Sequence, residues 1–168
     1  RQTAEPVHGG LTPLGAKVVA ECRRLGIVVD MAHGTSALVD GVLEASDAIP
    51  VWSHSWISAQ GGAWTDPSYI ARSLSPATAR KIAARGGAVG LWTVRVNRDP
   101  AYPVHNATTY ADEIVRMCEL VGPNHVAFGT DMEGAGPGAI LSNYMDLRDV
   151  ADSGDFRLVA YEPAAPDW

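Results

Sequence analysis

The stretch of residues 27–57, IVVDMAHGTSALVDGVLEASDAIPVWSHSWI, decides the expected fold. It contains two apolar runs, residues 27–31 and 49–52, and each run is followed within two residues by a histidine, His33 or His54. A segment of helix length separates the runs, which is typical of two parallel strands joined by a crossover helix. The carboxyl ends of parallel strands meet at one edge of a sheet. Both imidazoles should therefore lie at the edge where α/β folds build their sites.

The same alternation of helix and strand extends outward from this stretch. Apolar runs predict strands at residues 27–31, 49–52, 88–94 and 125–129. Caps, prolines and helical spacing predict five helices. The first covers residues 13–25, with Thr12 as its N-cap and Leu14, Val18, Cys22 and Leu25 at helical spacing. The others run from Thr35 or Ser36 to residues 45–47, between Ser75 and Gly86, from the capping-box pair Thr109 and Asp112 to Val121, and near residues 144–151. Four such alternations predict right-handed βαβ units and a parallel α/β sheet.

The composition restricts which binding partners and which cellular compartment we expect. Thirteen Lys and Arg against nineteen Asp and Glu give a formal charge of -6, which argues against nucleic acid as a partner. No apolar run approaches the roughly 18 residues of a transmembrane segment, and the first residues do not resemble a signal peptide. We therefore expect a piece of a longer reading frame or a processed product, and a cytoplasmic location is favoured. Cys22 and Cys118 fall on apolar helix faces, so we expect two small buried side chains and no disulfide.

Three of the four predicted strands end in a side chain that can bind a metal or move a proton. These residues are His33, His54 and Asp131. Two imidazoles and a carboxylate are ligands that suit a divalent metal such as zinc, which acidifies a bound water. Ser53 and Ser55 suggest a nucleophile as an alternative, but neither lies in a G-x-S-x-G elbow. A metal or catalytic site is the favoured interpretation.

Several other residues have two open interpretations. Arg72, in the long loop of residues 58–74, could grip a substrate carboxylate or be an ordinary solvated arginine. Glu133 could support the site or lie on a surface loop. Asp30 is expected to be a buried, hydrogen-bonded structural group. Structural roles are expected for His105 and His125. Four tryptophans could wall a pocket or, more commonly, form core: Trp52, Trp56, Trp64 and Trp92.

Four collinear segments resemble the C-terminal half of a known enzyme family. They are GLTPLGAKVVAECRRLGIVVDMAH at residues 10–33, AIPVWSHS at 48–55, ARSLSPATARKIAARGGAVGL at 71–91 and ADEIVRMCELVGPNHVAFGTDMEG at 111–134. The family is the membrane dipeptidase (renal dipeptidase) family of zinc metallopeptidases. The resemblance implies the C-terminal part, about four β/α units, of a (β/α)8 TIM barrel of the amidohydrolase type. It also implies a two-zinc centre that hydrolyses dipeptides.

The resemblance assigns roles to the candidate residues. His33 and His54 resemble the two histidine ligands of the second zinc, and Arg72 resembles the arginine that holds the dipeptide carboxylate. Asp131 resembles the aspartate beside the metals that binds the substrate amine and moves the proton to the leaving amine. Glu133 stands where the family usually has an aspartate.

The resemblance also implies that part of the barrel is missing. The family's His-x-Asp pair, the glutamate that bridges both metals and a substrate-binding histidine have no counterpart in the sequence. We therefore expect an incomplete metal centre within one partial domain, with residues 1–10 as an extended lead-in, 11–152 as a β/α half-barrel and 153–168 as an irregular tail. The chain would need its missing N-terminal half or would form a homo-oligomer. The alternatives are another amidohydrolase-type hydrolase, and a non-catalytic half-barrel that needs a partner chain.

Overall fold

Four parallel strands and their helices form the architecture of this protein in a computed structural model. The structure describes residues 7–58, 73–94, 104–131, 139–141 and 147–153. The strands are β1 (Val29–Asp30), β2 (Pro50–Ser55), β3 (Ala88–Trp92) and β4 (Val126–Gly129). They pair in the order β1-β2-β3-β4, and every pairing is parallel. The expected parallel α/β class is confirmed.

Helices alternate with the strands as the caps and prolines predicted. They are α1 (Pro13–Arg24), α2 (Ser36–Ala45), α3 (Pro76–Ala84), α4 (Ala107–Val121) and α5 (Leu147–Ser153), and a 3-10 turn at Pro123–His125 leads into β4. The side chains of Thr12, Thr35 and Ser75 each accept a hydrogen bond from a backbone N–H in the first turn of α1, α2 and α3. These bonds satisfy donors that have no partner inside a helix, which is why the helices begin there.

The start of α4 lies earlier than the sequence predicted. Thr109 is the third residue of the helix and Asn106 is its cap, so the capping box joins Asn106 to Thr109 rather than Thr109 to Asp112. The Asn106 side chain accepts from the Thr109 backbone N–H at 3.0 Å, and the Thr109 hydroxyl accepts from the Asn106 N–H at 3.0 Å. Asparagine caps a helix as well as threonine does, so the earlier cap adds another turn to α4.

The limits of the first two strands differ from the predicted ones. The first strand is only Val29–Asp30, because Ile27 and Val28 are exposed and lie outside the ladder. The second strand continues past Trp52 to Ser55, where Ser55 pairs with Leu91 after a register shift. As a result His54 lies within a strand rather than after it.

The core lies between the sheet and helices α2, α3 and α4. Its largest fully buried side chains include Trp52, Trp56, Tyr110, Ile82, Leu91 and Met117. The expected apolar face of α1 is mostly exposed, with Leu14 at 70% and Val18 at 55%, and Val19 is its buried residue. Cys22 and Cys118 are free thiols, and both are half-buried rather than buried as expected. No helix in the described ranges is long and apolar enough to span a membrane.

Candidate metal centre

The sheet brings three predicted site residues to its carboxyl edge. His33 follows β1, His54 is the fifth residue of β2, and Asp131 follows β4. The Nε2 atoms of His33 and His54 lie 2.8 Å apart. The Oδ2 atom of Asp131 lies 3.7 Å from Nε2 of His54. The structure therefore brings two imidazole nitrogens together, with a carboxylate beside them.

Two of these three residues have unusual backbone conformations. His33 has a φ of 65° and Asp131 a φ of 41°, the two positive values among non-glycine residues in the described ranges. A residue with a Cβ held in this region costs on the order of 1–3 kcal/mol, and such residues cluster at functional sites. This backbone strain is independent support for a site at this edge.

Two glycines allow the backbone of β2 to approach β3 and β4 closely beside His54. A Cβ on Gly90 would lie 1.9 Å from the carbonyl oxygen of Ser53, and one on Gly129 would lie 2.2 Å from the same oxygen. A Cβ on Gly129 would also lie 2.8 Å from the Cα of His54. Only glycine permits this approach, which coincides with the register shift in β2. The two glycines thus set the position of the His54 backbone.

Aromatic rings pack against one side of His54. The Trp92 ring lies 5.8 Å from the His54 ring, centroid to centroid, and stacks on Trp56 at 5.3 Å with an interplanar angle of 6°. Trp52, Trp56 and Trp92 are 2%, 0% and 8% exposed, which confirms core for these three tryptophans; Trp64 lies outside the described residues. The stack gives His54 a rigid apolar wall and leaves its Nε2 facing His33.

Asp30 is hydrogen-bonded, as expected, but it is exposed rather than buried. Its Oδ1 accepts from the backbone N–H of Ala32 and from that of Ser53, each at 3.0 Å. Partial burial alone would raise the pKa of this carboxyl. Hydrogen bonds from the Ser53 hydroxyl and from the two backbone N–H groups, with the nearby His54, outweigh it and lower the pKa below its ordinary value.

The two candidate serines have different surroundings. Ser55 is 2% exposed and its hydroxyl donates to the carbonyl of Trp56 at 3.3 Å. The hydroxyl of Ser53 lies 2.9 Å from Nδ1 of His54, on the far side of the ring from His33. Ser53 therefore supports the imidazole and leaves Nε2 for chemistry. His125 has the expected structural role, since its Nδ1 lies 2.8 Å from the carbonyl of Gly87.

The histidine pair fits two ligands of a zinc ion. Two nitrogens at 2.0–2.1 Å from one tetrahedral zinc are roughly 3.3–3.4 Å apart, so the rings would have to separate by about half an ångström. Within the described residues, no three His, Cys, Asp or Glu side chains are grouped closely enough to hold a metal. The Asp131 carboxylate lies beside the pair, 3.7 Å from Nε2 of His54. Two predicted site residues, Arg72 and Glu133, lie outside the described residues.

A parallel sheet of β/α units with paired imidazoles at its carboxyl edge is the arrangement of metal-dependent hydrolases built on α/β barrels. The family model of membrane dipeptidase (peptidase family M19) matches residues 1–153, and the chain belongs to this family.

Its curated relatives carry dipeptidase names. Dipeptidase aclJ of Aspergillus oryzae is 30% identical over 149 residues, which are 85% of this chain and 33% of that protein. Dipeptidase 3 of Rattus norvegicus is 27% identical over 133 residues, which are 76% of this chain and 24% of that protein. The chain therefore spans about a quarter to a third of the length of these relatives.

Solved structures agree in fold. The metallopeptidase dipeptidase AC of family M19 has a TM-score of 0.69 and 26% identity, covering 86% of this chain and 41% of that chain. A metallopeptidase from Rhodobacter sphaeroides, bound to a phosphinate mimic of the dipeptide L-Ala-D-Ala, has a TM-score of 0.69 and 25% identity over 88% of this chain and 42% of that one. These likenesses confirm the TIM-barrel type of fold, of which this chain forms a part.

Proposed function

We propose that the protein containing this chain is a metal-dependent dipeptidase and that His33 and His54 bind its zinc. The observation that carries this proposal is the 2.8 Å separation of their Nε2 atoms at the carboxyl edge of a parallel sheet. The dipeptidase names of the relatives support the reaction, and the dipeptide mimic bound to a related metallopeptidase supports the substrate class.

Each candidate residue has a distinct task in this proposal. Zinc, when bound, supplies a Lewis acid that polarises the peptide carbonyl and acidifies water. His33 and His54 hold the metal at the sheet edge. The Asp131 carboxylate, which lies 3.7 Å from Nε2 of His54 and is 31% exposed, would bind the substrate amine and move a proton to the leaving amine. Arg72 binds the dipeptide carboxylate through its guanidinium fork.

We propose further that ligands outside this chain complete the centre. The described residues contribute two imidazoles, whereas a catalytic zinc site has three protein ligands. Residues 11–152 would then form the β/α part of a larger barrel, and the chain alone would bind zinc weakly. This second proposal is compatible with the short span of the chain relative to its relatives.

Zinc content and dipeptide hydrolysis test the proposal together. The dialysed 168-residue chain and a longer protein that contains it would be compared for stoichiometric zinc and for cleavage of L-Ala-D-Ala. We expect both properties in the longer protein and their loss in its His33→Ala and His54→Ala variants. His125→Gln is the matched control, because His125 precedes β4 at the opposite edge of the sheet. A longer protein that cleaves dipeptides equally well with and without His54 would overturn the proposal.

Arg72 is tested by the kinetics of the longer protein. Arg72→Ala should raise KM for dipeptides while leaving zinc content unchanged, because the guanidinium would contact substrate and not metal. Arg80→Ala, a change at an exposed position of α3, is the matched control. An unchanged KM in Arg72→Ala would remove Arg72 from the site.

A further inference from the structure

We propose that Asp30 is a positioning residue that fixes both imidazoles of the candidate centre through a single carboxylate oxygen. Its Oδ1 accepts the backbone N–H of Ala32 at 3.0 Å and that of Ser53 at 3.0 Å. Ala32 immediately precedes His33, and Ser53 immediately precedes His54. One oxygen therefore joins the two backbone segments that carry the histidines. This inference rests on the proposed function, in which the two rings are ligands of one metal.

The first bond shapes the turn after β1. The Asp30 side chain bonds the N–H two residues ahead, as aspartate does in tight turns. The carbonyl of Met31 then accepts the N–H of Gly34 at 2.9 Å, and His33 between them has its positive φ of 65°. A strained residue persists only where its surroundings hold it in place. Asp30 is part of what holds His33.

The second bond locks β2 to β1 beside the candidate centre. Residues 30 and 53 are 23 positions apart in sequence, and the N–H of Ser53 points to the Asp30 carboxylate next to the register shift of β2. The N–H of Met31 donates to the carbonyl of Val51 at 2.8 Å and anchors the same strand pair. The separation of the two histidine backbones is thereby set across the two strands.

Ser53 extends the contact to the ring of His54. Its hydroxyl lies 2.9 Å from Nδ1 of His54. A hydroxyl can accept from an Nδ1–H or donate to a bare Nδ1, so Ser53 holds this side of the ring in either tautomer. Nε2, on the other side of the ring, lies 2.8 Å from Nε2 of His33. Nε2 is the atom that would bind the metal.

A purely structural role accounts less well for Asp30. Other carboxylates at exposed positions pair with cations, as Asp47 does with Arg23 at 3.0 Å. Asp30 instead accepts hydrogen bonds from two backbone N–H groups, each of the residue that immediately precedes one of the histidines. Outer groups that orient metal-binding imidazoles typically change metal affinity by about 10–100-fold when they are removed. The position and the chemistry of Asp30 match that role.

The imidazole spectra of the metal-free chain test the positioning directly. Long-range ¹H–¹⁵N correlation spectra of the histidine rings report tautomer and hydrogen bonding. Asp30→Ala should move the signals of His33 and His54 toward those of free imidazole and leave His125 unchanged. Asp30→Asn should restore most of the wild-type pattern, since an amide oxygen can accept both N–H bonds. Asp47→Ala is the control for loss of an exposed carboxylate at the opposite edge.

Zinc affinity in a longer protein that contains the chain supplies the second measurement. Competition with a chromophoric chelator should show zinc binding about 10–100-fold weaker in Asp30→Ala and close to wild type in Asp30→Asn and Asp47→Ala. Wild-type ring signals together with wild-type zinc affinity in Asp30→Ala would overturn the proposal.

Two outcomes need separate treatment. If circular dichroism shows Asp30→Ala to be unfolded, Asp30→Glu decides, because it keeps the charge but displaces the oxygen by one methylene. Unchanged His33 and His54 signals in Asp30→Glu would contradict positioning, and shifted signals would support it. If the wild-type longer protein binds no zinc, the proposed function fails, and the spectra of the metal-free chain still decide the role of Asp30.

Discussion

The Nε2 atom of His33 lies 2.8 Å from the Nε2 atom of His54, although 21 positions separate the two residues in sequence. At this distance one ring donates a proton and the other accepts it, so the pair forms one hydrogen-bonded unit in the metal-free chain. A metal that replaces this proton would bind two nitrogens that already face each other. The arrangement is therefore preorganised for a cation.

Zinc should stabilise the longer protein through this pair. A ligand that binds only the folded state at 100 times its Kd adds about 2.7 kcal/mol, so Tm should rise with zinc concentration. In His54→Ala we expect zinc affinity to fall more than about 100-fold, which exceeds the loss typical of removing a residue that only orients a metal ligand. Tm should then not rise over the same range of zinc concentrations. Differential scanning calorimetry with and without zinc measures this. An equal rise in Tm for wild type and His54→Ala would exclude the pair, and His125→Gln should behave as wild type.

The close approach of β2 to β4 makes Gly129 intolerant of a side chain. In Gly129→Ala the new methyl would lie 2.2 Å from the carbonyl oxygen of Ser53 and 2.8 Å from the Cα of His54. Overpacking of this kind costs about 1–3 kcal/mol, and His54 must move to relieve it. Urea unfolding gives the loss of stability, and the His54 ring signal reports the displacement. Ala127→Ser, at an exposed position in the same strand, is the control. A Gly129→Ala loss below about 0.5 kcal/mol would contradict the contact.

A buried carboxylate in α4 carries a different stability prediction. Glu113 is 3% exposed and accepts from Nε of Arg116 at 2.7 Å, while Nη2 of Arg116 donates to the carbonyl of Ile57 at 2.7 Å. The Glu113 carboxylate raises the pKa of Arg116, so this arginine is a charged partner. Glu113→Ala would leave a half-buried guanidinium without its counter-ion.

We expect Glu113→Ala to lower the free energy of unfolding by about 1–3 kcal/mol, less than for a fully buried pair because solvent reaches Arg116. The double variant Glu113→Leu with Arg116→Met should recover most of this loss, since it leaves no unpaired charge. Urea unfolding of both variants tests the prediction. A double variant no more stable than Glu113→Ala would contradict the prediction.

Acid stability should depend on Asp30. Its hydrogen bonds hold its folded pKa below the ordinary value of about 3.9, so the stabilisation is present above that pH and is lost as pH falls through the folded pKa. In the metal-free chain, Asp30→Asn should therefore unfold with a shallower dependence on pH in the acid range below about pH 4. Urea unfolding at a series of pH values gives this slope. Identical slopes for wild type and Asp30→Asn would show that the carboxylate is not stabilised in the folded state.

Local patterns predicted much of the fold because helix caps and apolar runs act over a few residues. The caps Thr12 and Ser75 were predicted and observed, and Thr35 proved to be the cap where two candidates were open. The prediction was wrong at α4, since Asn106 precedes the threonine whose spacing suggested a capping box. It was also wrong for Asp30, which is exposed, because a strand of only two residues at the edge of the sheet cannot bury it.

The sequence by itself determined the alternation of helices and strands and the placement of His33 and His54 near strand ends, since period, caps and chain order are local properties. Only the tertiary structure decided that their Nε2 atoms meet, that Asp30 links the residues preceding both histidines, and that Gly90 and Gly129 make room for Ser53. These relationships depend on strand register and on the shift within β2. Register arises from contacts between segments more than 20 residues apart, and no local pattern contains it.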